Sequence, residues 1–121
     1  VGFLDEAAAA LKAIRTRVRV PIVADIHFDH RLALASIEAG VDGLRINPGN
    51  IGPKRKIAEV VRAARDRGGL PIRIGVNSGS LEKDLLARFG GASAEALSES
   101  AVRHIRILED LDFFEIKVSI K

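Results

Sequence analysis

Polar side chains recur in this sequence at a spacing of two, each time at the end of an apolar run. Val23-Ala24 leads into Asp25-Ile26-His27, and Gly43-Leu44 into Arg45-Ile46-Asn47. Pro71-Ile72 leads into Arg73, Gly75 and Asn77, and Ile116 into Lys117, Ser119 and Lys121. Side chains of an extended strand alternate sides with period two, so the polar groups of each set share one face. Ile26, Ile46, Ile74, Val76, Val118 and Ile120 share the other. Gathering Arg and Lys from three strands is costly unless an anion neutralises them. The chemistry indicated is capture of a doubly phosphorylated or otherwise strongly anionic substrate. Asn47 and Asn77 can donate to phosphate or sugar oxygens. Asn77-Ser78-Gly79-Ser80 leads into a helix start and can add backbone N–H groups. The alternative is that these charges pair with carboxylates elsewhere or sit at surface strand ends. Four strands with the same parity favour a shared site.

Other titratable groups point less sharply. Asp25-x-His27-x-x-His30 contains metal-ligating types. However, His30 opens the next helix, and no other strand supplies a second carboxylate or imidazole, so no metal site is expected. His27 is expected to be held by Asp25 as a hydrogen-bonding or proton-transfer group. His104, flanked by Arg103 and close to Arg106, is expected to be solvated. Lys54-Arg55-Lys56 reads as a solvated face, with an oligomer or electron-donor contact as the alternative. Glu82-Lys83-Asp84 reads as an ordinary helix start. No residue is assigned a catalytic role.

The elements that must position these groups alternate. The pattern predicts helices over Asp5–Arg17, His30–Ala39 with Asp29 as cap, Pro53–Arg67, a short one ending at Phe89 and capped by Ser80, and Ser93–Leu111. It predicts strands over Val18–His27, Val41–Ile46, Pro71–Val76 and Phe113–Ile120, with Asn47-Pro48-Gly49-Asn50 as a turn. Alternating helices and strands imply parallel strands with crossover helices. No Gly-x-Gly-x-x-Gly follows a strand, which disfavours a doubly wound dinucleotide fold. The expected fold is α/β: a partial (β/α)8 TIM barrel with about four parallel strands, whose polar strand ends line the C-terminal mouth. A whole barrel takes ~250 residues, so residues 1–121 are expected to be the central part of a single barrel domain, cut at both ends.

Composition bounds the remaining classes. The chain has 121 residues, a net charge of +3, five Phe, and no Trp, Tyr or Cys. Few aromatics and dispersed basic residues argue against nucleic acid as a partner. Without cysteine there is no disulfide and no thiolate ligand. No apolar run approaches the ~20 residues that span a bilayer, so no membrane partner is expected.

Three motifs carry a family resemblance. They are Val23-Ala24-Asp25-Ile26-His27-Phe28, Leu44-Arg45-Ile46-Asn47-Pro48-Gly49-Asn50-Ile51-Gly52, and the stretch from Pro71 through Asn77-Ser78-Gly79-Ser80 to Leu81-Glu82-Lys83. With the ending Phe114–Lys121, they make the chain resemble the 4-hydroxy-3-methylbut-2-enyl diphosphate synthases (IspG, also called GcpE) along essentially its whole length. The resemblance implies an iron–sulfur oxidoreductase of isoprenoid (terpenoid) biosynthesis. Such enzymes reductively open 2-C-methyl-D-erythritol 2,4-cyclodiphosphate and eliminate water, with electrons from ferredoxin or flavodoxin. It implies a 4Fe-4S cluster held by a C-terminal domain absent from this chain, a homodimer, and a bacterial cytoplasmic or plastid stromal location. It also implies that Arg45, Arg73 and Lys117 or Lys121 hold the diphosphate. Asn47 and Asn77 would bond the substrate, while Asp25 and His27 line the site. This chain alone is then expected to be inert. Two other readings stay open: another phosphate-binding barrel enzyme (pteroate-synthase-like or an aldolase), and a non-enzymatic half-barrel module.

Overall fold

The computed structural model describes residues 3–121. Helix α1 (Phe3–Arg17) precedes strand β1 (Val23–Asp25), then α2 (His30–Glu38) and β2 (Gly43–Ile46). A one-turn helix α3 (Pro48–Ile51) and α4 (Lys54–Asp66) lead to β3 (Ile72–Val76). A 3-10 turn (Ser78–Ser80), α5 (Lys83–Phe89) and α6 (Ala94–Asp110) lead to β4 (Ile116–Ile120). The strands form one sheet in the order β1-β2-β3-β4, and every pairing is parallel. Successive neighbours in sequence order, joined by helices, are the arrangement of part of a (β/α) barrel.

The parity of the strands builds the core. Ala24, Leu44, Ile46, Ile72, Ile74 and Val76 are buried and face the helices. Helix α4 answers with Ile57, Val60, Val61 and Ala64, spaced i, i+3, i+4, i+7, which is one face of a helix. Helix α2 adds Ala33 and Ile37, and α6 adds Ala101 and Leu108. On β4 the same face carries Ile116, which packs against the core, and Val118 and Ile120, which are exposed on this outer strand.

Several boundaries differ from expectation for local reasons. The first strand is three residues long, not ten, because its partner β2 begins only at Gly43 and Pro21 has no N–H to give a ladder. Asn47-Pro48-Gly49-Asn50 is not a plain turn: Asn47 caps α3, with Pro48 at its first position. Ser80 does not cap α5. Its hydroxyl donates instead to the Asn77 carbonyl, and the residue before α5 is Glu82, whose side chain makes no cap bond. Asp29 caps α2 as expected, accepting from Arg31 N, and Ser93, expected as the first residue of its helix, caps α6 by accepting from Ala96 N.

Candidate functional site

The strand register places the charged residues in one row across the sheet. Asp25 pairs with Arg45, Arg45 with Arg73, and Arg73 with Lys117. All four stand on the face opposite the helices. Arg45 does not stay within its row but lies over Gly75, the next residue of that face on β3. A Cβ on Gly75 would come within 2.7 Å of both Cζ and Nε of Arg45, and nearer still to Nη2. The missing side chain at position 75 therefore admits the guanidinium. From there Arg45 Nη1 donates to both carboxylate oxygens of Asp25, at 3.0 and 3.1 Å.

Around this pair lies a cleft of about 130 Å³ lined by Asp25, His27, Arg45, Asn47, Gly75 and Asn77, together with Asn50 and Ser80. Both asparagines are held in the same way. The Asn47 side-chain oxygen accepts from Gly49 N at 3.1 Å, and that of Asn77 from Gly79 N at 2.9 Å. Capping thus uses the oxygen of each amide and leaves its NH₂ as the donor available to a ligand. The polar end of the cleft combines one guanidinium with two amide donors, which suits an oxyanion.

Five of the eight expected site residues meet in this cleft: Asp25, His27, Arg45, Asn47 and Asn77. Arg73 and Lys117 do not. They line a separate hollow of about 100 Å³ with Val23, Gly43 and Pro71, at the beginnings of the strands. Lys121 is exposed and outside both. Its backbone continues the ladder beside Asn77, donating to Val76 O and accepting from Ser78 N. Among the described residues no carboxylate pairs with Arg73, Lys117 or Lys121.

Two expectations about histidines are corrected. His27 is not held by Asp25: Nε2 is 3.8 Å from Oδ1, beyond hydrogen-bond range, and both side chains are at least half exposed. Asp25 is engaged by Arg45 instead, the stronger charge-assisted partner. His104 is not solvated. It is 2% exposed, with Nε2 3.0 Å from Glu82 Oε1. Burial holds its pKa below the ordinary histidine value, so the ring is kept neutral, against a smaller opposing pull from Glu82. The signal for this was present in the sequence, because Leu97, Ala101, His104 and Leu108 share one helical stripe. His30 points away from the cleft toward α4, with Nε2 3.2 Å from Glu59 Oε2. Asn50 and the steric role of Gly75 escaped the sequence reading, which had Ser80 only as part of the loop that offers backbone N–H groups.

Among the described residues no three His, Asp or Glu side chains gather as a metal-ligand set, and no helix is long and apolar enough to cross a membrane. Comparison with known proteins gives a consistent picture. The family model of the GcpE TIM-barrel domain matches residues 4–121. A protein of Nitratidesulfovibrio vulgaris named 4-hydroxy-3-methylbut-2-en-1-yl diphosphate synthase (flavodoxin) is 61% identical over 117 residues, covering 97% of this chain and 30% of the relative. Proteins of the same name from Acinetobacter baumannii and Listeria monocytogenes are 63% and 57% identical. They cover 96% and 97% of this chain, and 31% and 32% of their own lengths. The chain thus spans about a third of the length of the curated relatives it matches. A domain model matched over nearly every residue, on a sheet whose polar row and loops hold the motifs described above, means that the chain belongs to the GcpE TIM-barrel family.

Proposed function

We propose that this chain is the central part of the barrel of a 4-hydroxy-3-methylbut-2-en-1-yl diphosphate synthase and supplies its diphosphate-binding surface. The observation that carries this reading is Arg45 lying over Gly75 in one cleft with two asparagines whose side-chain oxygens are taken up by caps. The Arg45–Asp25 pair is 31% and 50% exposed, and such pairs are worth about 0–1 kcal/mol. A diphosphate can therefore draw the guanidinium from Asp25 at little cost, since Arg–phosphate contacts are the stronger bonds. Arg73, Lys117 and Lys121, which lie outside this cleft, are proposed to complete the positive face for the rest of the anion. Asp25 and His27 line its other wall.

The substrate is then 2-C-methyl-D-erythritol 2,4-cyclodiphosphate, with flavodoxin, as the relatives' names state of them, or ferredoxin as electron donor. The 4Fe-4S cluster that the family implies does not fit the residues present. The chain has no cysteine, and the described residues gather no ligand set. Its ligands are assigned outside this chain, whose own residues bind and orient the substrate. A homodimer in the bacterial cytoplasm or plastid stroma belongs to the same reading.

The test is substitution in the full-length protein. Arg45→Ala should lower kcat/KM by roughly 30-fold or more, the lower end of the ~2–5 kcal/mol lost on truncating a paired charge. Arg73→Ala should act in the same direction, and cluster absorbance should be unchanged in both. Near-normal turnover in both variants would remove the assigned role.

A further inference from the structure

The strongest feature outside the cleft is a buried polar group beneath its two loops. His104 on α6 is 2% exposed and places Nε2 3.0 Å from Glu82 Oε1. Ser100, one turn earlier on the same helix, donates to that oxygen at 3.0 Å. Glu82 ends the loop that begins at Asn77 and passes through the Ser78–Ser80 turn. The same nitrogen also abuts Gly49, where an added Cβ would fall 2.8 Å from Nε2. Gly49 lies in α3, and its N–H is the group that orients Asn47. One side chain therefore touches both loops that present the asparagine donors.

The arrangement is costly. Glu82 Oε2 and His104 Nδ1 are buried without a partner among the described residues. Each such group carries a desolvation penalty that no hydrogen bond recovers. An apolar residue would satisfy the stripe formed by Leu97, Ala101 and Leu108 more cheaply. Helices α5 and α6 do not depend on it for docking, because Arg103 also bridges them through Asp84, at 2.8 and 3.1 Å.

We infer that His104 and Glu82, supported by Ser100, are positioning residues: they lock the Asn47 and Asn77 loops at a fixed separation and so set the affinity of the cleft for its diphosphate. The inference rests on the anion-site reading given above. With the imidazole in place, Nε2 lies against both Glu82 Oε1 and Gly49, no side chain fits at 49, and the two loops bear on one group. Without it each loop keeps its own cap, but nothing couples the two.

The experiment compares His104→Leu, His104→Gln, Glu82→Ala, their double variant and Arg45→Ala in the full-length protein, measuring KM and kcat for the cyclodiphosphate together with Tm. His104→Leu and Glu82→Ala should each raise KM roughly tenfold while kcat stays within about twofold, and His104→Leu with Glu82→Ala should be no worse than either alone. His104→Gln, whose amide nitrogen can replace Nε2, should restore KM to within about threefold of the parent. Should His104→Leu not fold, Glu82→Ala carries the test, since it only shortens a side chain that is 25% exposed. A lowered Tm or kcat with unchanged KM would mean a merely structural role and overturn the inference, as would His104→Gln behaving like His104→Leu. If Arg45→Ala also leaves KM unchanged, the anion-site reading itself falls, and the two failures are told apart.

Discussion

Gly75 decides where Arg45 can go. The glycine has an ordinary strand backbone, so its role is steric and not conformational. The atoms that a Cβ would displace are the far end of a flexible side chain, and the sheet need not move. Gly75→Ala in the full-length protein should leave Tm within a few degrees and raise KM for the proposed cyclodiphosphate substrate about fivefold or more, because the guanidinium loses its seat. A large fall in Tm with KM unchanged would contradict this account. The parity of Asp25, Arg45, Asn47 and Asn77 was legible in the sequence, because period two follows from the strand itself. The direction in which Arg45 leans was not, since it depends on which residue of the neighbouring strand sits one step ahead. The choice of Arg45 over His27 as partner for Asp25 was hidden for the same reason: it is made across the register, not along the chain.

Helix α6 shows both the reach and the limit of pattern reading. Its start at Ser93 and its apolar stripe were plain, yet His104 was assigned to solvent from its arginine neighbours when its phase placed it inside. A charged neighbour one residue away lies about 100° around the helix and says little about burial. Because burial lowers the folded-state pKa of His104, protonation is easier in the unfolded chain. Its neutral form is therefore fully compatible with folding above the ordinary histidine value of 6.5, and stability is lost as pH falls below that value toward the lowered folded pKa. Asp29 and Asp84, whose pKa values are lowered by Arg31 and Arg103, lose stability only below 3.8 and lie outside this window. Melting the full-length protein between pH 7.5 and 5 should show a fall in Tm that is shallower in His104→Gln. Equal slopes for the two proteins would mean that the imidazole does not titrate across folding. Strand lengths were the least legible feature, because pairing ends where the partner ends: Val18–His27 reads as one strand, but only Val23–Asp25 pairs with β2.

At the scale of the whole chain, the sheet has two outer strands, β1 and β4, and both carry exposed apolar side chains. Val23 is 49% exposed, Val118 42% and Ile120 54%. A free parallel edge with apolar side chains is a template for pairing with another chain. In a closed barrel the same backbone groups are bonded to further strands, and the helix face of β4 is covered. The row Asp25–Arg45–Arg73–Lys117 has the same requirement, because on an open sheet it faces water, whereas in a closed barrel it faces the interior, where its charges act at lower dielectric. The two situations call for opposite effects of one change. Val118→Lys with Ile120→Lys should suppress self-association of the 121-residue chain, measured by light scattering at micromolar concentration. In the full-length protein the same pair should lower Tm substantially, since it would place ammonium groups under a packed helix. A chain that is monomeric without the substitutions, or a full-length protein indifferent to them, would mean that β4 is a true edge and that the polar row completes its site some other way.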